Sequence, residues 1–397
     1  MSKKVSKIGS GYYFNSFAVN TIINVLKKKV ITENNVHLEY YKPKHKAFLL
    51  IANHTETLDP GYEMAALKKY IRYVASDHAL RLSMGWAYKY LGGVIVKYRD
   101  KPSDCLTEDI IANLKAGIPV GLHAEGAMSV NGQTGYISPN TGKLVKDSGA
   151  ALVTYKFIGG YLRSPRWAEK ARKGPIIGKF VAEYSPEELS KMSVDEINEI
   201  ICRDIRVNVY EEQRKEPREY AGENLAECVE RILYICPKCN QVGTLHSKGD
   251  ELRCDCGAVY TMKSDGFFHG EDVVKDNVYD WDMWQRDVWK EKLLSAEEGS
   301  LIFSEGSQIV RLVKDDEDEI LSEDATLTLY KDRFEIKLND EKTIVMPMEK
   351  VKNASLASKE TLFLVDENMF LDIRSHTPRA STKYVAAWRY LTGKAYY

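Results

Sequence analysis

A histidine and an aspartate early in the chain, His54 and Asp59, have residue types and a spacing that could support proton transfer. If the loop between them folds back, the carboxylate can hold one ring nitrogen and fix the tautomer. The other nitrogen can then take a proton from a substrate hydroxyl. A simpler interpretation stays open, because Asp59 precedes Pro60 as helix-capping aspartates often do, and His54 could be a loop histidine. The pair alone predicts either a general-base dyad or a helix cap.

The segments on either side predict how the pair is positioned. Residues 47–52 are small or apolar without interruption, which is typical of a strand buried on both faces. Residues 61–67, directly after a proline, read as the start of a helix with that proline in its first turn. We therefore expect His54 where a strand ends and Asp59 where the next helix begins.

Alternating apolar and polar segments follow, and they predict an α/β domain. A Gly-rich phosphate loop of the nucleotide-binding type is absent from the sequence. Strands are expected at residues 71–75, 93–99, 118–122 and 150–155, helices at 85–91 and 105–115, and mostly helical sequence at 187–215.

Four segments of this region resemble the motifs of the glycerolipid acyltransferases typified by lysophosphatidate acyltransferase. The first family motif, N-H-x-x-x-x-D, is matched in full by Asn53, His54 and Asp59. Order and spacing agree over residues 46–165, which is more specific than any single motif. The resemblance implies an α/β acyltransferase domain, with a mixed sheet flanked by helices, in which His54 is the general base.

The other three motifs are also present, the third with changes. Residues 93–99 supply a glycine, an apolar strand and an arginine, and the strand after Gly149 supplies the fourth motif. The third, usually F-P-E-G-T-R-S, is H-A-E-G-A-M-S at residues 123–129. Because the family's arginine there is associated with the acceptor's phosphate, the change implies a larger share of phosphate binding for Arg99. His123 stands where the family has an aromatic residue and is expected to be structural.

The resemblance implies acyl transfer from an acyl thioester. His54 removes the proton as the acceptor hydroxyl attacks the acyl carbonyl, and Asp59 stabilises the imidazolium, a contribution of about 10²–10⁴ in rate. No covalent acyl-enzyme is expected, since no serine or cysteine accompanies the histidine in the motif. Arg99 with Lys97 is expected to hold the acceptor's phosphate, and Glu125 to orient its hydroxyls or hold Arg99. The expected substrate-binding residues are Asn53, Lys97, Arg99, Glu125 and Gly126.

Two close cysteine pairs, Cys236 with Cys239 and Cys254 with Cys256, form the second strong signal. Turn-forming residues 248–250 lie between them, as expected for two metal-binding knuckles on a β-hairpin, and four thiolates suit tetrahedral Zn²⁺. Such a metal is structural and supplies folding free energy of about 10–16 kcal/mol by analogy with zinc fingers. The chain has 7 cysteines, an odd number that favours a reducing compartment over a disulfide framework. Four free cysteines are the alternative.

The N-terminal segment is basic and amphipathic, although the whole chain has a net charge of -1. Apolar residues recur at helical spacing between residues 14 and 26, and three lysines follow. This pattern predicts a helix that contacts an anionic membrane surface, or one that packs on its own domain. We find no apolar run of the ~20 residues that span a bilayer and no signal-peptide pattern. The expected location is cytoplasmic, peripheral on the inner face of the cell membrane.

From about residue 299 the pattern changes to short β segments, at 308–313, 325–330, 333–338, 343–346, 361–365 and 369–373, before a helix at 378–391. Six strands and a terminal helix resemble a pleckstrin-homology-like domain. The predicted domains are an N-terminal membrane-contact segment (1–45), an acyltransferase domain (46–232), a small zinc ribbon (233–264), a Trp-rich linker helix (265–298) and a mostly β domain (299–397).

These observations are compatible with three classes of function. The first is an acyltransferase that moves a fatty acyl group from acyl-acyl-carrier-protein or acyl-CoA to a lysophospholipid such as 1-acylglycerol 3-phosphate. The second is a non-catalytic lipid-binding adaptor built on a decayed acyltransferase fold, which the changed third motif leaves open. The third is a zinc-ribbon interaction protein. No nucleic acid partner is expected, because no basic and aromatic cluster surrounds the cysteines. Hydrophobic content of 44% and charged content of 28% are those of a globular protein.

Overall fold

The structure is a computed structural model of the 397-residue chain. It describes residues 16, 17, 21, 31–80, 85, 93–98, 103–314, 318–339, 342–357 and 359–394. The chain divides into two compact units, one formed by Met1–Pro165 with Arg172–Ala221 and the other by Arg166–Ala171 with Gly222–Tyr397.

The first unit contains a seven-stranded sheet with helices along its connections. Its strands are β1 (Val36–Leu38), β2 (Phe48–Ala52), β3 (Arg72–Ser76), β4 (Ile95–Lys97), β5 (Val120–His123), β6 (Ala151–Ile158) and β7 (Ile176–Tyr184). Their spatial order is β1-β7-β6-β2-β5-β3-β4. Neighbours run parallel except β6 and β7, so the sheet is mixed, as predicted.

The helices of this unit are α1 (Asp59–Leu67), α2 (Asp77–Leu80), α3 (Ser103–Lys115), α4 (Asn140–Ser148), α5 (Gly160–Arg163), α6 (Pro186–Lys191), α7 (Val194–Ile205) and α8 (Val209–Lys215). α1 has its proline in the first turn, as predicted. α6 and α7 each begin with a capping box, in which Ser185 pairs with Glu188 and Ser193 with Glu196. The Asn208 side chain caps α8. The charged sequence at 187–215 thus forms three capped helices, which confirms its predicted helical character.

Strand β2 lies between β5 and β6 because its side chains are apolar on both faces. All five of its residues are buried. Successive side chains of a strand point to opposite faces, so Phe48, Leu50 and Ala52 enter one core cluster while Leu49 and Ile51 enter the other. This confirms the predicted strand buried on both faces.

Two predicted helices fall mostly outside the described residues. The segment 85–91 is described only at residue 85, and the N-terminal segment 14–26 only at residues 16, 17 and 21. The predictions made for them stay predictions. Among the described residues, none of the helices is long and apolar enough to cross a membrane.

The second unit contains two antiparallel sheets. The smaller has the strands β8 (Leu245–Lys248), β9 (Glu251–Cys254), β10 (Val259–Met262) and β11 (Phe268–His269), in the order β11-β10-β9-β8. The larger has the strands β12 (Leu301–Leu312), β13 (Glu319–Tyr330), β14 (Arg333–Lys337), β15 (Thr343–Pro347), β16 (Asn353–Ala357), β17 (Thr361–Val365) and β18 (Phe370–Ser375), in the order β15-β14-β13-β12-β18-β17-β16. Helix α9 (Val278–Ser295) joins the two sheets in sequence, and α10 (Thr382–Leu391) follows β18.

The larger sheet differs from its prediction in three strands. Strand β13 begins at Glu319, before the predicted segment at 325–330. Strand β16 was not predicted, because it is a short edge strand with polar residues that pairs only with β17. Strand β12 begins at Leu301, well before the predicted segment at 308–313. Its first half was not predicted because a bulge interrupts its pairing with β13 between Glu305 and Gln308. Ser307, with a positive φ of 57°, lies in that bulge and breaks the alternating pattern. The mostly β character is confirmed, and the pleckstrin-homology-like assignment stays a prediction.

Candidate active site

The candidate site lies at the carboxyl ends of two neighbouring parallel strands, β2 and β5. Their pairing sets Ala52, the last residue of β2, opposite His123, the last residue of β5. His54 and Glu125 each follow two residues after their strand. Both loops therefore leave the same edge of the sheet, where open α/β sheets bind ligands. A small pocket at this edge is lined by His54, Thr55, Glu125, Ser129, Phe157 and Tyr161, among others.

His54 and Asp59 are in direct contact. His54 Nδ1 lies 3.0 Å from Asp59 Oδ2, and the Asp59 side chain is 0% exposed whereas that of His54 is 21% exposed. The same carboxylate oxygen accepts the backbone N–H groups of Thr55 and Glu56 at 2.6 and 2.9 Å. The N-cap position of α1 is occupied by Leu58, so Asp59 is not the helix cap of the simpler interpretation.

This arrangement is suited to general-base chemistry. A carboxylate on Nδ1 fixes the tautomer in which Nε2 can accept a proton, and it stabilises the imidazolium that forms. The loop itself holds Asp59, since the Thr55 hydroxyl also donates to Asp59 Oδ1 at 3.1 Å. Because these donors are already in position, the carboxylate can respond to charge on His54 without reorganising.

Asn53, predicted to bind substrate, holds the backbone of the neighbouring strand β6 instead. Its Nδ2 donates to the Phe157 carbonyl at 2.9 Å, and its Oδ1 accepts the Phe157 N–H at 2.8 Å. The residue is only 2% exposed. Because both ends of the amide are engaged in the sheet, Asn53 fixes the point at which the chain leaves β2 and the His54 loop begins. These contacts support a positioning role for Asn53, and its substrate contact stays a prediction.

Glu125 joins the two loops of the site. Its Oε1 accepts the His54 N–H at 2.7 Å, and its Oε2 accepts the Gly135 N–H at 2.5 Å. Burial raises the pKa of Glu125 to about 7, although the hydrogen bonds from Gly135 and His54 lower it. The carboxylate thus holds the backbone from which His54 projects. Its predicted contact with Arg99 lies outside the described residues.

Of the remaining predicted substrate residues, Gly126 and Lys97 are exposed and Arg99 lies outside the described residues. Gly126 is exposed and has a φ of +72°, which favours glycine, in a turn closed by its N–H on the His123 carbonyl at 3.0 Å. Lys97 is exposed at the end of the edge strand β4, two strands from β5 in the sheet order. Arg99 is not among the described residues, so its phosphate contact stays a prediction.

The sequence did not reveal two ionisable residues of the site. His123, expected to be structural, stacks on His54 with ring centroids 4.1 Å apart. Its partner Glu63, 3.0 Å away, lies on α1 one turn after Asp59 and therefore on the same helix face. The sequence signals that could have indicated them are this four-residue spacing and the strand end at His123, next to the end of β2.

The four predicted metal ligands come together in the second unit. Their sulfur atoms lie within 4.8 Å of one another, with 3.9 Å between Cys236 and Cys256 and 3.7 Å between Cys239 and Cys254. Tetrahedral Zn²⁺ with bonds of about 2.3 Å requires sulfur separations of about 3.8 Å. Gly257, with a φ of +88°, closes the second turn by donating to the Cys254 carbonyl at 2.9 Å. The donor set and its spacing fit a structural zinc ion.

A second group of possible ligand atoms is explained by hydrogen bonds. His54, Asp59 and His123 also offer ligand atoms within 4.8 Å of one another. However, Nδ1 of His54 meets Asp59, and Nε2 of His123 meets Glu63, at 3.0 Å each. Each of these two nitrogens is therefore engaged by a carboxylate, and we assign no metal to this group.

Comparisons with known proteins bear on the first unit. A model of the acyltransferase family matches residues 33–157. Among solved structures, the chain is similar to the 1-acyl-sn-glycerophosphate (LPA) acyltransferase PlsC from Thermotoga maritima. That match has 18% sequence identity and a TM-score of 0.40, and it covers 50% of this chain and 80% of that chain. No curated protein sequence matches the chain. Residues 33–157, the part of the chain that the family model matches, contain both His54 and Asp59.

Proposed function

We propose that this chain transfers a fatty acyl group from an acyl thioester to the hydroxyl of a lysophospholipid, in phospholipid synthesis. The observation that carries the proposal is the contact between His54 Nδ1 and the buried Asp59 carboxylate, inside the region that matches the acyltransferase family. Attack by a hydroxyl on a thioester is assisted by a general base within reach of that hydroxyl. His54 follows the end of a strand and lines a pocket, where an acceptor could reach it.

The proposed reaction forms one ester bond and breaks one thioester bond. His54 Nε2 takes the proton of the acceptor hydroxyl as its oxygen attacks the acyl carbonyl carbon. Asp59 stabilises the imidazolium, as described above. When the tetrahedral intermediate collapses, the thiolate leaves and takes the proton from His54, which restores the base. Such general-base catalysis contributes about 10²–10⁴ in rate.

The substrates are proposed by class. The donor is an acyl-acyl-carrier-protein or an acyl-CoA, and the acceptor is a lysophospholipid such as 1-acylglycerol 3-phosphate. The residues proposed to contact its phosphate are Lys97 and Arg99, since arginine offers two parallel N–H groups to phosphate oxygens. Lys97 supports this role by its exposure at the carboxyl end of β4, the same edge of the sheet from which the His54 loop leaves.

The acceptor's membrane is proposed to be reached through the N-terminal segment. Phe17 is 74% exposed, and the sequence around it combines an apolar stripe with three lysines. We propose that this segment lies on an anionic membrane surface at the inner face of the cell membrane. Replacing Phe14 and Phe17 by aspartate should strongly weaken sedimentation with anionic liposomes. Activity on a detergent-soluble acceptor should be nearly unchanged, and equal loss of both activities would contradict a membrane role.

The proposed function is tested with the purified full chain. Acyl-CoA and acyl-acyl-carrier-protein are each offered with 1-acylglycerol 3-phosphate, with other lysophospholipids and with an unphosphorylated monoacylglycerol. We expect a diacyl product from at least one thioester and one lysophospholipid, detected by mass spectrometry. If no combination gives product while the folded protein binds lysophospholipid vesicles, the chain is the lipid-binding adaptor that its Ala127-Met128 change leaves open.

A structural zinc ion at the four cysteines is proposed separately. The sulfur separations of 3.7 and 3.9 Å support it. Four protein ligands leave no position for a substrate, so the ion would stabilise the fold and take no part in acyl transfer.

A further inference from the structure

A second histidine–carboxylate pair lies against the dyad. His123 Nε2 is 3.0 Å from Glu63 Oε1, and the Tyr73 hydroxyl donates to Glu63 Oε2 at 2.5 Å. The Glu63 side chain is 0% exposed and that of His123 is 10% exposed. Burying such groups costs desolvation free energy, and the general-base mechanism described above uses none of the three.

The His123 ring is in face-to-face contact with the ring of the proposed base. The imidazoles of His123 and His54 are 5° from parallel, with centroids 4.1 Å apart. The ring of Tyr73 also stacks on His123, at 5.8 Å and 23°. Gly121 makes room for it, since a Cβ there would lie 2.3 Å from the Tyr73 ring. The His54 ring is therefore restrained in its plane by Asp59 and on one face by His123.

The neighbours of His123 determine its charge. Burial lowers the pKa of His123, but the Glu63 carboxylate, through its charge and its hydrogen bond, outweighs burial and raises it. Asp59 and Glu125 add negative charge that acts in the same direction. Burial raises the pKa of Glu63, against His123 and the hydrogen bond from Tyr73, on β3, which lower it and favour the carboxylate. A positive charge on His123 disfavours a second positive charge on the stacked His54 ring.

We propose that His123, held by Glu63, is a positioning residue that fixes the plane of the His54 ring and whose positive charge keeps His54 unprotonated and ready to accept a proton. The inference rests on the proposed function in taking His54 as the base. It explains why a buried carboxylate lies one helical turn beyond Asp59. It also gives a role to the histidine that stands where the resembling family has an aromatic residue.

Two variants test the proposal. Glu63→Gln removes the carboxylate charge and keeps a hydrogen-bonding side chain opposite Tyr73. His123→Phe combined with Glu63→Gln keeps a ring on His54 and removes the whole pair. In the first variant His123 loses the carboxylate that raises its pKa, and in the second His123 is absent, so both remove the positive charge stacked on His54. Protonation of His54 then becomes easier, and the acid limb of the pH profile of kcat/KM should move to higher pH by about one unit. The value of kcat on the alkaline plateau should change much less.

A second readout does not depend on activity. The titration midpoint of the His54 imidazole, followed by NMR, should rise by about one pH unit in the same variants. Glu183→Gln is the control, because Glu183 forms a separate pair with His45 Nδ1, at 2.7 Å, and should leave the His54 midpoint unchanged. If the double variant does not fold, Glu63→Gln decides the question alone.

The outcomes separate this inference from the proposed function. An unchanged His54 midpoint in folded Glu63→Gln protein would overturn the inference, even if acyl transfer is found. A raised midpoint in a protein that transfers no acyl group would support the inference about the histidine pair and sink the acyltransferase proposal. Uniform loss of kcat at every pH, with no change of midpoint, would make the pair structural only.

Discussion

The histidine site of the first unit and the four-cysteine cluster of the second are both assembled on turns that adjoin strands, yet they expose different chemistry. In the first, the Asp59 carboxylate is saturated by protein donors while His54 is 21% exposed beside a pocket. In the second, all four sulfur atoms face one another within 4.8 Å. A site that holds its charged group rigid but exposes one imidazole is suited to a mobile substrate. A site that turns every ligand atom inward is suited to stability.

The largest effect should come from the four-cysteine cluster. Cys254→Ser removes a buried cysteine of the proposed zinc site. The second unit should then lose the proposed ion and the stabilisation of about 10–16 kcal/mol that structural zinc supplies to small domains. Metal analysis and thermal unfolding of the purified variant measure both. Cys202→Ser, at an exposed cysteine on α7, is the control and should keep the metal. A metal-free wild-type chain with the same melting behaviour as Cys254→Ser would refute the assignment.

The next largest effect tests the Asp59 carboxylate of the histidine site. Asp59→Asn turns an acceptor of three N–H groups into a side chain with its own donors, so His54 loses both its charge partner and its fixed tautomer. We expect kcat to fall by about 10²-fold, with a smaller change in KM. Steady-state kinetics measures this. Unchanged kcat in a folded variant would show that Asp59 only supports the loop.

A smaller effect separates positioning from substrate binding at Asn53. Asn53→Ala leaves the Phe157 N–H and carbonyl without their side-chain partner, and each buried unsatisfied group costs about 1–3 kcal/mol. Both the unfolding free energy and kcat should decrease, while KM stays the same. Asn198→Ala is the matched control, since Asn198 also bridges backbone groups, of Gly142 and Pro139, away from the site. Asn198→Ala should reduce the unfolding free energy without changing kcat. A raised KM in Asn53→Ala would instead support the prediction that Asn53 binds substrate.

The smallest effect is the pH dependence of Glu125. Burial raises its pKa from 4.5 to about 7, so the folded state favours the protonated form. Its stability contribution is therefore complete below about pH 4.5 and is lost as pH rises through 7. The melting temperature of wild type minus that of Glu125→Gln should decrease over this interval. A difference that does not vary with pH would mean that Glu125 ionises normally.

The sequence predicted best where the signal was local. The fully apolar run of β2, the proline at the start of α1 and the cysteine spacing each depend on neighbours within a few residues, and the structure contains the corresponding strand, helix and cluster. Side-chain contacts that only the fold creates were missed. Glu63 meets His123 because β5 lies beside β2, and Asn53 meets Phe157 because β6 lies on its other side. Side chains this far apart in sequence carry no periodic signal.

The edge strand β16 was missed for a related reason. Its residues, Asn353–Ala357, mix polar and small side chains, and only pairing with β17 makes them a strand. In the same way, the bulge at Ser307 hides the first half of β12 from a search for alternating residues. Fold class could be predicted from local pattern, whereas register, bulges and side-chain partners required the assembled sheet.

The central claim is that His54, and not any other histidine paired with a carboxylate, is the base for acyl transfer. The direct measurement compares the turnover of His54→Ala with that of His45→Ala, at saturating acyl thioester and lysophospholipid. His45 pairs with Glu183 at 2.7 Å on the same unit, and so provides a matched histidine–carboxylate control. We predict that His54→Ala loses about 10²–10⁴ in kcat while His45→Ala stays near wild type. Turnover near the wild-type level in folded His54→Ala protein would contradict the claim.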